Sequence, residues 1–350
     1  MTAHAYLNTR ISLLAGRLLP AQAWEDLLGQ PVAANHALLE RHDLADMVDE
    51  SSESAAKTPE QRMVTLLLRD ILILARALAG RERDFILYWL HRFELANIKA
   101  IIRGKMAGRP AADIRAGLME MGSLARLPLE DMLHTEDVAE LLRALETTPY
   151  SDIARAARQT YQEQHNQFAL DATFDHRYYA GLASRAHALE NDAAQRFRSL
   201  MAAQIDRINL VWLLRYRFTY QLGPAQVYYL LIPSRYRLSS ARLRALAQLP
   251  APDAVLRALP PPYAALVADA ATFSEVRQSL TRYALALASK IVRRFEEPLA
   301  RTFAYLLLRE QDLRRLRAIV RGQSLGLPTA LIREAMGFDA ATAAPERKAA

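Results

Sequence analysis

One thirteen-residue pattern occurs three times in this sequence: FELANIKAIIRGK at residues 93–105, IDRINLVWLLRYR at 205–217 and QDLRRLRAIVRGQ at 311–323. An acid stands near the start of each copy, at Glu94, Asp206 and Asp312, and an arginine follows nine residues later. Apolar residues recur at helical spacing between them, so each copy predicts an amphipathic helix with a buried aliphatic face. The acid lies beside that face, and we expect it to be partly buried and to accept hydrogen bonds.

The opposite face of the repeated helix is basic. We name as candidate partner-binding residues Lys99, Arg103, Arg215, Arg317 and Arg321. One explanation is that these residues form the solvent-exposed face of the helix, opposite its buried aliphatic face. The other explanation is that they contact a partner, because an arginine stands at one helical position in all three copies. Both alternatives stay open at this point.

The spacing of the copies predicts the domain organisation. The repeated arginines are 112 and then 106 residues apart, whereas solenoid repeats run about 20–50 residues. A weaker echo joins Thr148-Pro149-Tyr150 to Pro261-Pro262-Tyr263, and we take Gln30-Pro31 as its first copy. We therefore predict three tandem, similar helical domains at residues 5–122, 123–236 and 237–340. A disordered tail follows at residues 341–350.

Composition limits the fold and function classes. The chain of 350 residues is 51% hydrophobic and 24% charged and has only twelve glycines, which favours an all-α globular protein. The absence of cysteine excludes disulfides, thiolate zinc sites and cysteine nucleophiles. No apolar run is long enough to cross a bilayer, so we expect at most peripheral membrane contact. The net charge is +7, and arginine carries most of the positive charge. This indicates a partner that is anionic, or it reflects the base composition of the genome.

Catalytic motifs are weak. Gly322-Gln323-Ser324-Leu325-Gly326 fits the nucleophile-elbow pattern, but a strand must precede that motif and here a helical pattern precedes it. The last histidine, His187, also comes before this serine, which is the wrong order for that triad. No histidine spacing indicates a zinc site. The sequence therefore predicts no catalytic residue, no metal site and no cofactor.

Five segments in chain order carry a family resemblance. They are YLNTR at residues 6–10, NIKAIIRGK at 97–105, FDHRYY at 174–179, AYLLLRE at 304–310 and RLRAIVRGQSLGLP at 315–328. Together they resemble the C subunit of V/A-type ATPases (ATP synthases), which is related to the d subunit of the eukaryotic V-ATPase. The resemblance covers residues 5 to about 337. Two positions depart from the family pattern. Tyr216 stands where a glycine follows the arginine in the other two copies, and Arg315 stands where the first two copies have asparagine.

The resemblance implies a fold and a role. It implies an all-α, funnel-shaped protein of three domains with pseudo-threefold symmetry, lying peripherally on the cytoplasmic face of the inner membrane. Its partners would be the shaft subunits D and F and the proteolipid ring of the membrane sector, with no nucleic acid expected. The chain would be a non-catalytic rotor subunit that couples ATP turnover to proton or sodium transport. The alternative is an arginine-rich helical scaffold that binds nucleic acid or unrelated proteins.

Overall fold

The structure is a computed structural model, and it describes residues 3–48, 57–189 and 194–337. The chain is 75% helical, and these ranges contain no β-strand. The all-α prediction is therefore confirmed. The predicted tail at 341–350 lies outside the described residues, and the threefold symmetry and funnel shape stay predictions.

Eighteen α-helices lie in the described ranges. The first nine are α1 (Ala3–Ala15), α2 (Ala21–Gly29), α3 (His36–Arg41), α4 (Pro59–Ala75), α5 (Gly80–Met106), α6 (Ala111–Ala116), α7 (Leu129–His134), α8 (Val138–Leu145) and α9 (Ser151–Gln164). The other nine are α10 (Gln167–His187), α11 (Gln195–Leu214), α12 (Pro224–Leu230), α13 (Ser240–Ala247), α14 (Pro252–Arg257), α15 (Tyr263–Leu266), α16 (Phe273–Arg294), α17 (Pro298–Ser324) and α18 (Thr329–Ala335).

The helices divide between two compact units. The first unit contains residues 1–74 and 305–350, and the second contains residues 75–304. The three copies of the sequence pattern lie on α5, α11 and α17. The copies on α5 and α11 therefore belong to the second unit and the copy on α17 to the first. The division into three domains stays a prediction.

Local signals explain where several helices begin. Thr58 and Gln61 form reciprocal side-chain bonds at the start of α4, with Gln61 Oε1 accepting from the Thr58 N–H at 2.7 Å. The carboxylate of Asp137 accepts from the Glu140 N–H at 2.7 Å ahead of α8, and Asn166 caps α10 in the same way. These side chains satisfy backbone N–H groups that have no partner inside the helix.

Two of the motif helices are followed by a left-handed glycine. Gly108 and Gly326 have φ of +64° and +62°, in the left-handed region that only glycine adopts at low cost. The N–H of the next residue bonds back five positions in both copies, to the carbonyl oxygens of Gly104 and Gly322 at 2.9 Å. A proline follows two residues after each left-handed glycine. Glycine and proline thus end the first and third motif helices, but each helix continues two residues beyond the glycine of the pattern, Gly104 or Gly322, which the sequence alone would place after its end.

The motif helices lie against aliphatic cores. In the second unit α11 buries Leu210 and Leu213 against residues of α13 and α16, including Leu243 and Leu280. In the first unit Leu316 and Ile319 of α17 are fully buried. The aliphatic face predicted for each copy therefore faces a core, which fixes the orientation of the polar residues on the same helix.

Candidate partner-binding site

The motif acid of the first copy holds the following chain onto its helix. Glu94 is 2% exposed, and its Oε1 accepts from the N–H groups of Arg126 and Leu127 at 2.6 and 3.2 Å. Its Oε2 accepts from the hydroxyl of Tyr150. Burial and the neighbouring carboxylate raise the pKa of Tyr150, so the phenol stays a donor. We call this arrangement the acid clamp.

The middle copy repeats the acid clamp. Asp206 accepts from the Leu238 N–H at 3.2 Å and from the Tyr263 hydroxyl at 2.9 Å. Tyr150 and Tyr263 are the tyrosines of the weak Pro-Tyr echo in the sequence. That echo therefore marks the hydroxyls that bond the motif acids.

The third copy takes its clamp partner from the beginning of the chain. Asp312 accepts from the Leu19 N–H at 3.0 Å, across 293 residues. The motif acids are more buried than the sequence predicts, because Glu94, Asp206 and Asp312 are at most 6% exposed. Loss of hydration raises the pKa of Asp206 and of Asp312 to about 6.

The asparagine of the pattern makes a second repeated contact. Asn97 exchanges two hydrogen bonds with the backbone of Met119, each at 2.8 Å. Asn209 does the same with Ile232, at 3.0 and 2.8 Å. Arg315 takes this place in the third copy, and its Nε donates to the Met336 carbonyl at 3.4 Å. Arg315 therefore keeps the hydrogen bond that the asparagine donates, but it cannot accept one from a backbone N–H.

The glycine of the pattern allows close packing. A Cβ at Gly104 would lie 2.5 Å from side-chain atoms of Ile114, and one at Gly322 would lie 2.5 Å from Ile332. In the middle copy the buried Tyr216 replaces the glycine, and residues 215–219 form a π-helical turn instead. The chain after the middle motif consequently follows a different path.

We expect Gly104→Ala to lower the free energy of unfolding by about 1–2 kcal/mol, because Ile114 must move out of a packed position. Urea denaturation followed by circular dichroism measures this change. Gly29→Ala is the matched control, since no atom lies within 4 Å of a Cβ there. Equal changes in both variants would disprove close packing at Gly104. In a second test, Gly104→Ala made in an Ile114→Ala background should cost much less than in the parent, because the side chain that obstructs the new Cβ is gone.

The last pattern position forms a contact that we call the latch. Lys105 donates to the carbonyl oxygens of Leu133 and Thr135, at the end of α7. Arg217 Nε donates to the Ala247 carbonyl at 3.3 Å, at the end of α13. Each latch satisfies carbonyls that have no partner inside their own helix.

The third latch again joins α17 to the N-terminal segment. Gln323 Nε2 donates to the Leu27 and Gln30 carbonyls at 3.1 and 2.9 Å, and its Oε1 accepts from the Val32 N–H at 2.9 Å. The latch was not predicted from the sequence. The signal was a long polar side chain eleven residues after the acid in all three copies, although the three residue types differ.

The predicted contact residues of the first copy pair with helix α10. Lys99 Nζ lies 2.8 Å from Asp175 Oδ1, and the Lys99 side chain is only 17% exposed. Arg103 lies 3.6 Å from Asp171, and its side chain is 46% exposed. Lys99 is therefore chiefly a packing contact, whereas Arg103 keeps much of its surface accessible.

The third copy shows the same arrangement on helix α4. Arg317 lies 2.8 Å from Glu60, and Arg321 lies 4.0 Å from the same carboxylate with its side chain 65% exposed. In the middle copy Arg215 is exposed and donates to the hydroxyl of Tyr220. Of the five predicted contact residues, the structure thus leaves Arg103, Arg215 and Arg321 the most accessible.

Metal binding and membrane crossing have no support in the described residues. Within residues 3–48, 57–189 and 194–337, no cluster of three histidine or acidic side chains is arranged to hold a metal ion. None of the helices described is long and apolar enough to span a membrane. Ser324, from the apparent nucleophile elbow, lies at the end of helix α17 and donates to the Arg321 carbonyl at 2.9 Å.

Comparison with known proteins gives consistent matches. Residues 7–335 match the family described as ATP synthase (C/AC39) subunit. The C subunit of the A-type ATP synthase of Thermococcus kodakarensis is 25% identical, over 96% of this chain and 91% of its own length. The same protein of Methanosarcina mazei is 22% identical over 95% and 92%, and that of Haloferax volcanii is 26% identical over 71% and 72%.

Proposed function

Because the chain belongs to the ATP synthase (C/AC39) subunit family, we propose that it is the central-stalk rotor subunit of a V/A-type ATPase. Membership in this family confirms the resemblance seen in the five sequence segments. In the proposed role the chain couples the shaft subunits D and F to the proteolipid ring, for ATP-linked proton or sodium transport. It lies on the cytoplasmic face of the inner membrane and has no catalytic step of its own.

The observation that carries this proposal is the clamped module present in three copies. Each ion that crosses a membrane at 100 mV carries about 2.3 kcal/mol, so a protein that couples the two motors has to transmit load without yielding. The acid clamp and the latch hold the chain that packs on each motif helix at two separate points. Hydrogen bonds to a buried carboxylate are stronger than neutral ones, which favours a stiff module.

The accessible arginines are the proposed contacts with shaft or ring. Arg103, Arg215 and Arg321 occupy one position of the repeated pattern, and their side chains are exposed. Lys99 and Arg317 belong to the same predicted surface, but their ion pairs with Asp175 and Glu60 already give them a structural role. We therefore test the three arginines alone.

We expect Arg103→Glu/Arg215→Glu/Arg321→Glu to reduce co-purification of the shaft subunits or of the proteolipid ring by about tenfold or more, because like charges at an interface cost several kcal/mol. The matched control reverses Arg41, Arg143 and Arg293, which are exposed arginines outside the motif. Circular dichroism should show unchanged helicity in both variants. If the triple variant assembled as well as the control, these arginines would not be contacts. If the parent chain retained neither the shaft nor the ring, the rotor proposal itself would fail.

A further inference from the structure

The middle copy is followed by a segment with charges of one sign. Residues 207–252 contain seven arginines and no aspartate, glutamate or lysine. The equivalent stretch of the first copy, residues 95–140, contains six basic and seven acidic residues. Since the acid clamp, asparagine contact and latch form in both stretches, the module does not require an acid-free sequence. The charge of the middle copy needs another explanation.

Helices α12 and α13 and the loop between them carry part of this charge on exposed side chains. Val227, Leu243 and Leu246 turn inward to a shared core. Four arginines and one tyrosine of the same segment are exposed: Arg235, Arg237, Arg242, Arg244 and Tyr229. We call these five residues the arginine–tyrosine surface.

The arginines of this surface form no close ion pair. In the part of the chain that the structure describes, no carboxylate lies within 4.0 Å of the guanidinium groups of these four arginines, and the buried Asp206 attracts Arg237 only at longer range. Arg242 donates to the Arg237 carbonyl at 2.8 Å, and the Arg244 guanidinium lies over the ring of Tyr228 at 4.6 Å. These contacts position the cations without removing their charge.

At two contacts behind this surface, the neighbouring helix α10 contributes histidines and not acids. His176 hydrogen-bonds to the backbone of Leu231, and the ring of His187 lies 4.9 Å from that of Tyr236. The first copy again differs, because four residues after its clamp leucine it carries Asp131, whereas the middle copy carries Arg242. The surface therefore fits an anionic partner by charge complementarity.

The exposed aromatic groups favour one anionic partner over the others. Single-stranded nucleic acid binds to several open aromatic faces, but Arg244 covers a face of Tyr228. Tyr229 has 76% of its surface exposed, and its ring lies edge-on to that of Tyr228, with the centroids 5.8 Å apart. A projecting tyrosine beside arginines is suited to the headgroup layer of a membrane, where the phenol sits among polar groups and guanidinium groups bind phosphate. The proposed function, on which this step rests, also brings the chain close to a membrane.

We propose that the arginine–tyrosine surface binds a layer of anionic phospholipid. Each arginine near such a layer contributes to attraction that decays within a Debye length, about 10 Å at 0.1 M salt. Binding is therefore reversible and weakens steeply as salt is added. It needs no transmembrane segment, since the tyrosine and the arginines act at the headgroup level.

The test uses the purified full chain and co-sedimentation with phosphatidylcholine vesicles that contain or lack phosphatidylglycerol. We expect binding only to the vesicles with phosphatidylglycerol. Arg235→Gln/Arg242→Gln/Arg244→Gln should weaken this binding by about tenfold or more. The control Arg41→Gln/Arg143→Gln/Arg293→Gln removes the same net charge and should stay within about twofold of the parent. Arg235→Gln alone, in an exposed loop, should weaken binding about fivefold even if the triple variant folds poorly.

Three outcomes would overturn the lipid assignment. The first is equal weakening in the triple variant and its control, which would mean that only net charge matters. The second is unchanged binding in the Arg235→Gln and triple variants. The third is stronger binding to single-stranded DNA or to polyglutamate than to the vesicles at equal salt, which would assign the surface to nucleic acid or to an acidic protein. Because the vesicles contain no other protein, failure here is distinguishable from failure of the rotor proposal, which the co-purification experiment tests.

Discussion

Replacing Arg309 with methionine is expected to lower the free energy of unfolding by about 3–5 kcal/mol, because it leaves a buried carboxylate without its counter-ion. Arg309 is fully buried in the first unit, and its Nε lies 3.2 Å from Asp70 Oδ2. Its two terminal nitrogens donate to the His42 and Asp43 carbonyls at 3.1 and 2.7 Å. The hydroxyl of Tyr305 donates to the same Asp70 oxygen at 2.6 Å.

Urea denaturation of the full chain measures this loss, with Arg321→Met as the matched control. Arg321 is on the same helix with its side chain 65% exposed, so its replacement should change the stability by no more than about 0.5 kcal/mol. The double variant Asp70→Leu/Arg309→Met should recover part of the loss, because it removes both charges from the interior. Equal effects at positions 309 and 321 would contradict a buried ion pair.

Replacing Asp206 with alanine is expected to cost about 3 kcal/mol, since it leaves the Leu238 N–H and the Tyr263 hydroxyl buried without an acceptor. Asp206→Asn keeps an acceptor oxygen and removes a charge that burial disfavours. We therefore expect urea denaturation at neutral pH to show the asparagine variant more stable than the alanine variant by about 2 kcal/mol or more.

The pH dependence of the Asp206 pair has a definite sign. Burial raises the pKa of Asp206 to about 6, so the folded protein binds this proton more tightly than the unfolded chain does. The parent should thus gain stability relative to Asp206→Asn as the pH falls from about 7 towards 5. If the parent instead lost stability relative to Asp206→Asn as the pH fell, the hydrogen bonds to the Asp206 carboxylate would outweigh its loss of hydration.

The sequence was sufficient for the local features of each copy. Helical spacing predicted the aliphatic faces of α5, α11 and α17. The acid was expected to accept hydrogen bonds, and its burial proved deeper than expected. Each of these features depends on residues close together in the chain, where helix geometry alone fixes which side chains share a face.

The partners of each motif required the structure. Glu94 bonds to residues 126, 127 and 150, which lie beyond the predicted boundary at 122, and Asp312 bonds to Leu19 at the other end of the chain. Spacing between copies gives the period of a repeat but does not show where one module begins. Lys99 and Arg317 were expected on an outer face, yet helices α10 and α4 bring Asp175 and Glu60 against them.

The bond between Leu19 and Asp312 has a consequence for biosynthesis. A ribosome adds about 5–20 residues per second, so roughly 15–60 s separate the emergence of these two residues. During that interval the N-terminal segment has neither the carboxylate that receives the Leu19 N–H nor the amide of Gln323. The first unit therefore completes its folding only after Asp312 and Gln323 have been synthesised, and until then its N-terminal helices lack these two contacts with α17.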